Sequence, residues 1–250
     1  RLARWRLLLL AFAIVQVQDS GRIKPEPLAG QREMQLAGLA LHTVLPTAER
    51  VGCFNSGIVT FYTGQLADRL GADGRRGIVN LDGVVDARSF AALQDRRLSR
   101  WLDEQGVRFL LDNPIQFELD PSVAHASGMF FGDGFDPAND LVEVARFDVP
   151  RVQGSLPRGD SMRLYWRRGR GEMPARPVAA GELKPMLPLS RMSAPLDTEV
   201  RVWWGARPGD SLIFVHRDGR REVLASTEVE TAVLVAMSSD FEGDLEIESR

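Results

Sequence analysis

One cysteine, three histidines and a charge close to balance remove several kinds of chemistry before any motif is considered. With Cys53 alone, the chain can form neither an internal disulfide nor a cysteine-based zinc site. His42, His125 and His216 are too scattered for a paired-histidine metal motif. No serine sits in a G-x-S-x-G elbow, so nucleophilic hydrolysis has no support. The glycines from Gly52 to Gly57 lack the spacing of a dinucleotide fingerprint. The formal net charge is -3, and no Lys/Arg run is interleaved with aromatics, which argues against a nucleic-acid partner. Internal repeats and low-complexity tracts are also missing. Neither a cofactor nor a metal is expected.

The chain has one long apolar run. Arg1, Arg4 and Arg6 precede Leu7 to Val15, and Gln16 to Asp19 close it. A membrane-spanning helix needs about 20 apolar residues, and this run is shorter. It reads as a truncated membrane helix or as the core of a signal-like segment over residues 1–19. Either reading puts the arginines on the cytoplasmic side and the rest of the chain outside. A buried helix of a soluble fold is the alternative. Because the first residue is Arg1, a processed chain or a fragment is expected. The expected localisation is the cytoplasmic membrane with this region on its outer, periplasmic side, and the membrane is an expected partner.

Beyond that run, composition and periodicity divide the chain. Residues 20–46 form a connecting loop with Gly21, Pro25, Pro27 and Gly30, then a helix whose Met34, Ala37, Leu41 and Val44 recur at helical spacing before Pro46. Residues 47–168 alternate strands and helices. Short strands are predicted at Arg50–Phe54, Ile78–Leu81 and Val107–Asp112. Asp86 is placed to cap one helix, with Phe90, Leu93, Leu98, Trp101 and Leu102 as its apolar stripe and Gly106 at its end. Later strands are predicted at Leu141–Asp148 and Met162–Trp166. The order implies an α/β domain with a small, Rossmann-like, mostly parallel sheet. Residues 169–189, rich in Gly and Pro, read as a linker. Residues 190–250 read as a β-rich, sandwich-like segment, either a separate domain or extra strands on the first sheet, with Arg217-Asp218-Gly219-Arg220 as a hairpin turn.

Several segments carry a family likeness. Val51-Gly52-Cys53-Phe54-Asn55-Ser56-Gly57 is followed by the aromatic pair Phe61-Tyr62 and then by Val79-Asn80-Leu81-Asp82-Gly83-Val84-Val85. Arg100-Trp101-Leu102 through Gly106 to Asp112, then Phe147 to Pro150 and Leu164-Tyr165, continue the pattern. Together they resemble the soluble C-terminal region of bacterial multi-spanning GT-C type glycosyltransferases, relatives of dolichyl-phosphate-mannose mannosyltransferases and lipid-linked aminoarabinose transferases. The likeness spans roughly residues 45–166. Residues 65–76 stand as an insertion, Asp86 replaces a more usual Asn, and 190–250 has no counterpart. The resemblance implies a non-catalytic accessory region of an enzyme that uses a polyprenyl-phosphate sugar, with a lipid-linked sugar or a glycan acceptor as partner. The family's catalytic acid lies in an early loop between membrane helices, so no catalytic residue carries over.

Candidate ligand-binding residues are found at the strand ends. Asn55, Asn80 and Asp82 lie just past the first two strands, where open α/β sheets gather ligands. Turn and cap chemistry is the competing explanation for all three. Trp203 would be the exposed member of the Trp203-Trp204 pair on an alternating strand and could stack on a sugar. That platform belongs to a second functional reading, a free-standing exported carbohydrate-binding protein. Asp133, Asp136, Asn139 and Asp140 could in principle hold calcium, but the distal Glu of an EF-hand is missing and a solvated loop explains them better. Cys53 reads as an inert core thiol.

Overall fold

The computed structural model describes residues 31–46, 48–54, 56–70, 77–82, 86–120, 122, 126–148, 161–186, 199–238 and 242–249. The apolar run Leu7–Val15 and Asn55 lie outside them. Among the described residues, no helix is long and apolar enough to cross a membrane.

The α/β half begins with α1 (Gln31–Val44), β1 (Val51–Cys53), α2 (Ser56–Leu70) and β2 (Ile78–Asn80). It continues with α3 (Ala87–Gln94), α4 (Leu98–Glu104) and β3 (Phe109–Asp112). Two 3-10 turns at Pro114–Phe117 and Gly128–Phe131 and the short α5 (Pro137–Asp140) lead to β4 (Leu141–Asp148) and β5 (Met162–Arg167). The remaining strands are β6 (Leu183–Pro185), β7 (Glu199–Ala206), β8 (Ser211–His216), β9 (Arg221–Ser226), β10 (Thr231–Ser238) and β11 (Gly243–Glu248).

Eight strands form one sheet in the order β2-β1-β3-β5-β4-β10-β7-β6, and β11-β8-β9 form a second. The large sheet is mixed, not mostly parallel. Pairs β1–β2, β1–β3 and β4–β10 are parallel, whereas β3–β5, β5–β4, β10–β7 and β7–β6 are antiparallel. Parallel neighbours need a crossover, which α2 to α4 supply for the first three strands. Among the later strands β5, β4, β10, β7 and β6, the β4–β10 pair is parallel and the other neighbours are antiparallel.

Residues 190–250 therefore do not stand apart. Strand β10 adds in parallel register to β4, Ala232 opposite Ala145 and Val235 opposite Asp148, and β7 pairs on its far side. A sandwich does form, but one of its leaves is the outer part of the shared sheet. Trp204, Ala206, Val233 and Val235 pack there on Leu212, Phe214 and Leu224 of the small sheet. The described part of the expected linker is also fixed in place: β6 pairs with β7, and Val178 and Met186 are buried.

Three apolar clusters explain the layering. Helix α1 lies across one face of the large sheet. Its Leu36, Ala37, Leu41 and Val44 meet Val51, Phe109, Phe147, Leu164, Leu234 and Trp203. On the opposite face, α3, α4 and the 3-10 turns cover β1 to β3 through Leu98, Trp101, Leu102, Phe117 and Phe131. With both faces dry, the short strands are nearly all apolar. Between this helical layer and the small sheet lies a polar seam along β4 and β5. There Arg146 Nε donates to Asp148 Oδ2 at 2.9 Å, and Arg163 donates to Glu143 Oε2 at 3.0 Å. Both ion pairs hold largely buried carboxylates, whose charge burial requires a cation close by.

The single helix expected over the Phe90–Leu102 stripe is two. The chain turns at Asp95, Arg96 and Arg97, and Arg96 takes the left-handed conformation with φ 50°. Leu98, Trp101 and Leu102 reach the core, but Phe90 is 49% exposed. Asp86 caps α3 as expected, its carboxylate accepting from Arg88 N at 2.8 Å. Gly106 comes after α4 at φ 65°, a conformation open to glycine at little cost.

Candidate functional site

The carboxyl ends of β1, β2 and β3 lie side by side because Cys53 registers with Asn80 and Gly52 with Leu110. Polar residues stand at the exit of all three strands. After β1 the chain enters α2 at Ser56, which is buried. Asn80 ends β2, and its Nδ2 donates to Ser56 Oγ at 2.6 Å. The Asn80 Oδ1 accepts from Asp82 N at 3.1 Å, so this side chain fixes the turn out of β2 and ties it to the start of α2. Asp82 itself is exposed. The structure places Asn80 and Asp82 in one turn after β2, with Asn80 already engaged by its neighbours.

Sequence reasoning missed the most buried polar group of this region. Asp112 ends β3 with no solvent exposure. Its Oδ2 accepts from Phe54 N at 2.7 Å and lies 3.6 Å from Cys53 Sγ, whose thiol points its weak donor at it. Its Oδ1 accepts from Asn113 N at 2.9 Å. Asp112 therefore stitches β3 to the exit of β1, the point where the chain leaves the sheet for α2. An acidic residue closing the apolar run Phe109-Leu110-Leu111 and followed by Asn-Pro was the available signal. Cys53 is a buried core thiol, as its place on an apolar strand suggested.

Trp203 is not exposed. Its side chain is 2% accessible, packed with Phe147 at a 6.1 Å ring separation and 67° inclination. Alternation along a strand does send Trp203 and Trp204 to opposite faces. One of them would meet water only if a face were bare; here α1 covers the first face and the small sheet the second. No face of Trp203 is available for a sugar to stack on.

The acidic loop is used locally. Asp136 caps α5, accepting from Ala138 N at 3.0 Å and from Asn139 Nδ2 at 2.6 Å, and Asp140 accepts from Asp136 N at 2.8 Å. Among the described residues, no group of three or more His, Cys, Asp or Glu is placed to hold a metal ion. His216 Nε2 sits 3.1 Å from Glu222 on the neighbouring strand β9, an interaction across the hairpin and away from the carboxyl ends of β1 to β3.

No protein-family model, curated protein or solved structure matches the chain.

Proposed function

We propose that this chain is the extracytoplasmic accessory region of a membrane glycosyltransferase that takes its sugar from a polyprenyl phosphate. In this reading the region contributes to binding of the lipid-linked sugar or the glycan acceptor, and sugar transfer itself occurs elsewhere in the enzyme. One observation carries the proposal. The segments that bear the family likeness, Val51–Phe54, Val79–Asp82 and Val107–Asp112, form three adjacent parallel strands whose carboxyl ends converge. Separated in sequence, they bring Ser56, Asn80 and Asp82 to one end of the sheet, where Asp112 ties β3 to the exit of β1. The carboxyl ends of strands are where open α/β sheets bind ligands.

Support also comes from the surface of α2, where Phe61 is 58% exposed and packs edge-on against Tyr62 at 5.2 Å. An exposed Phe beside a half-buried Tyr suits a membrane interface. The alternative of a free-standing carbohydrate-binding protein loses its Trp203 platform to burial.

Two measurements test the reading. Alkaline phosphatase fused after Arg250 should be active in a bacterial host and should sediment with membranes after carbonate washing. A photoreactive polyprenyl-phosphate hexose should then label peptides within residues 50–83, and unlabelled lipid should compete. An inactive fusion in the soluble fraction, or labelling that ignores competitor, would count against the proposal.

A further inference from the structure

A pocket of about 160 Å³ opens at the opposite end of the large sheet from the carboxyl ends of β1 to β3, where β3 and β4 begin and β5 ends. Its walls come from distant parts of the chain: Ser99 of α4, the Phe131–Phe135 loop, Asp140, and the arginines Arg167, Arg168 and Arg170.

The arginines are held before any ligand arrives. Arg167 is buried. It donates to Val107 O at 2.7 Å and to Ser99 O and Oγ at 3.0 Å each, and it pairs with Asp103 at 2.9 Å. Arg170 forks both oxygens of Asp103 at 2.7 Å. Arg168 is anchored through its backbone N to Asp140 O at 2.8 Å and through Nε to Asn139 O at 2.7 Å. Its terminal nitrogens carry no bond to the protein among the described residues, so they are donors at the mouth. Phe131 and Phe135 stack at 4.3 Å and 14°, giving the pocket a flat apolar wall. Gly132 and Gly134, at φ 110° and 83°, bend the loop that presents Asp133 beside it. The rim is thus rigid, and rigidity lowers the entropic cost of binding.

The lining selects among ligand classes. A metal ion is disfavoured by three guanidinium groups. An apolar molecule would strand the polar rim. Phosphate or sulfate would gain from the arginines but face the carboxylates of Asp133 and Asp140 in the same wall. A polyhydroxylated ring suits all of it, since each hydroxyl both accepts from arginine and donates to aspartate, and its C–H face lies on an aromatic surface. The volume is below the roughly 300–1,000 Å³ of drug-sized sites, which limits the ligand to one ring. We propose that this pocket binds a single neutral monosaccharide unit. The inference is independent of the membrane assignment.

The test uses the 250-residue chain and methyl glycosides of glucose, galactose, mannose and arabinose, with glucose 6-phosphate, glucuronate and inorganic phosphate as charged comparators. Binding is read by ligand-observed saturation-transfer NMR and titration. At least one neutral glycoside should bind with a Kd on the order of 1 mM, and Arg168→Gln and Phe135→Ala should each weaken it about tenfold. Both side chains lie at the rim, and unchanged circular dichroism and melting temperature establish that the variants are folded. Tighter binding of phosphate or of the charged sugars would overturn the proposal in favour of an anion site. So would binding that both variants leave intact, or no binding by any neutral glycoside to the folded chain.

Discussion

Replacing Asp112 by Asn exchanges one carboxylate oxygen for an NH₂ group and should cost a measurable fraction of the stability of this fold. The carboxylate accepts from Phe54 N at 2.7 Å and from Asn113 N at 2.9 Å, one oxygen each, with no access to water. An amide has one oxygen. Whichever way it is turned, one backbone N–H faces an NH₂ group and is left buried without an acceptor, at about 1–3 kcal/mol. The surviving bond loses its charge assistance, a further ~1 kcal/mol. The expected loss is about 2–4 kcal/mol, which for a chain of this size corresponds to roughly 5–15 °C in Tm. Urea unfolding followed by tryptophan fluorescence should show a lower midpoint at unchanged slope. Cys53, the only thiol, supplies a local readout because it lies 3.6 Å from the same carboxylate on the strand that Asp112 ties down. Its reaction with a disulfide reagent should be slow in the parent and faster in the variant below the unfolding transition. A loss under about 0.5 kcal/mol with no change in thiol reactivity would refute the reasoning, since a dry, doubly used carboxylate cannot be that cheap to replace.

Other perturbations concern close approaches and titration. At Gly205 a Cβ would lie 1.8 Å from Ala179 O, and the surrounding backbone is pinned by Gly181 N to Gly205 O at 2.7 Å and Gly205 N to Glu182 O at 2.9 Å. Gly205→Ala should therefore destabilise by about 3 kcal/mol or more in thermal melts, whereas Gly57→Ala, with open space around it, should not. Partial burial pushes the Asp103 carboxyl up, but hydrogen bonds and charges from Arg170 and Arg167 outweigh it and hold the group below its ordinary 3.8. Its contribution is whole above that pH and is lost as pH falls through the lower folded value, so Asp103→Asn should flatten the acid limb of a stability–pH curve. Burial pushes the Tyr165 phenol well above its ordinary 10.0. The associated stability is whole below about pH 10 and falls as pH rises beyond it. A phenolate absorbance step that appears only on unfolding, and disappears in Tyr165→Phe, is the expected observation.

Local signals in the sequence are reliable where one residue's chemistry decides. Asp86 reads as an N-cap because a carboxylate two residues ahead of a free N–H has few better partners, and it is one. Arg217-Asp218-Gly219-Arg220 reads as a hairpin turn because Gly219 can take positive φ, here 82°. The first three strands are legible as short apolar runs between polar breaks. The break between α3 and α4 is not, because the left-handed residue there is Arg96, with no glycine to announce it. At the candidate site, Asn80 and Asp82 can be placed by their position at the end of a strand. Asp112 is marked only by its place at the end of an apolar run, and its role is not legible because its partners, Phe54 N and Cys53, lie 58 and 59 residues away.

The burial of Trp203 and the joining of the C-terminal strands to the first sheet have one cause. A sequence shows which faces of a strand are apolar, but not which neighbour covers them. Val202, Trp203 and Trp204 suggest one wet face and one dry face only if the strand belongs to a two-layer sandwich. Once β10 pairs with β4, the strand becomes part of a sheet with α1 above and the small sheet below, and both indoles are buried. The same pairing turns an apparent boundary into the middle of the molecule. It brings β9 over the end of β4, where Arg146 donates to Ser226 O at 2.8 Å while holding Asp148 at 2.9 Å. The two halves are therefore joined by a parallel strand pair and by a hydrogen bond from a buried guanidinium of one half to a backbone carbonyl of the other. A cut in the linker-like stretch near residue 189 would leave Trp203 of one piece and Phe147 of the other bare. Such pieces should not fold separately, and limited proteolysis followed by separation is the measurement that decides it.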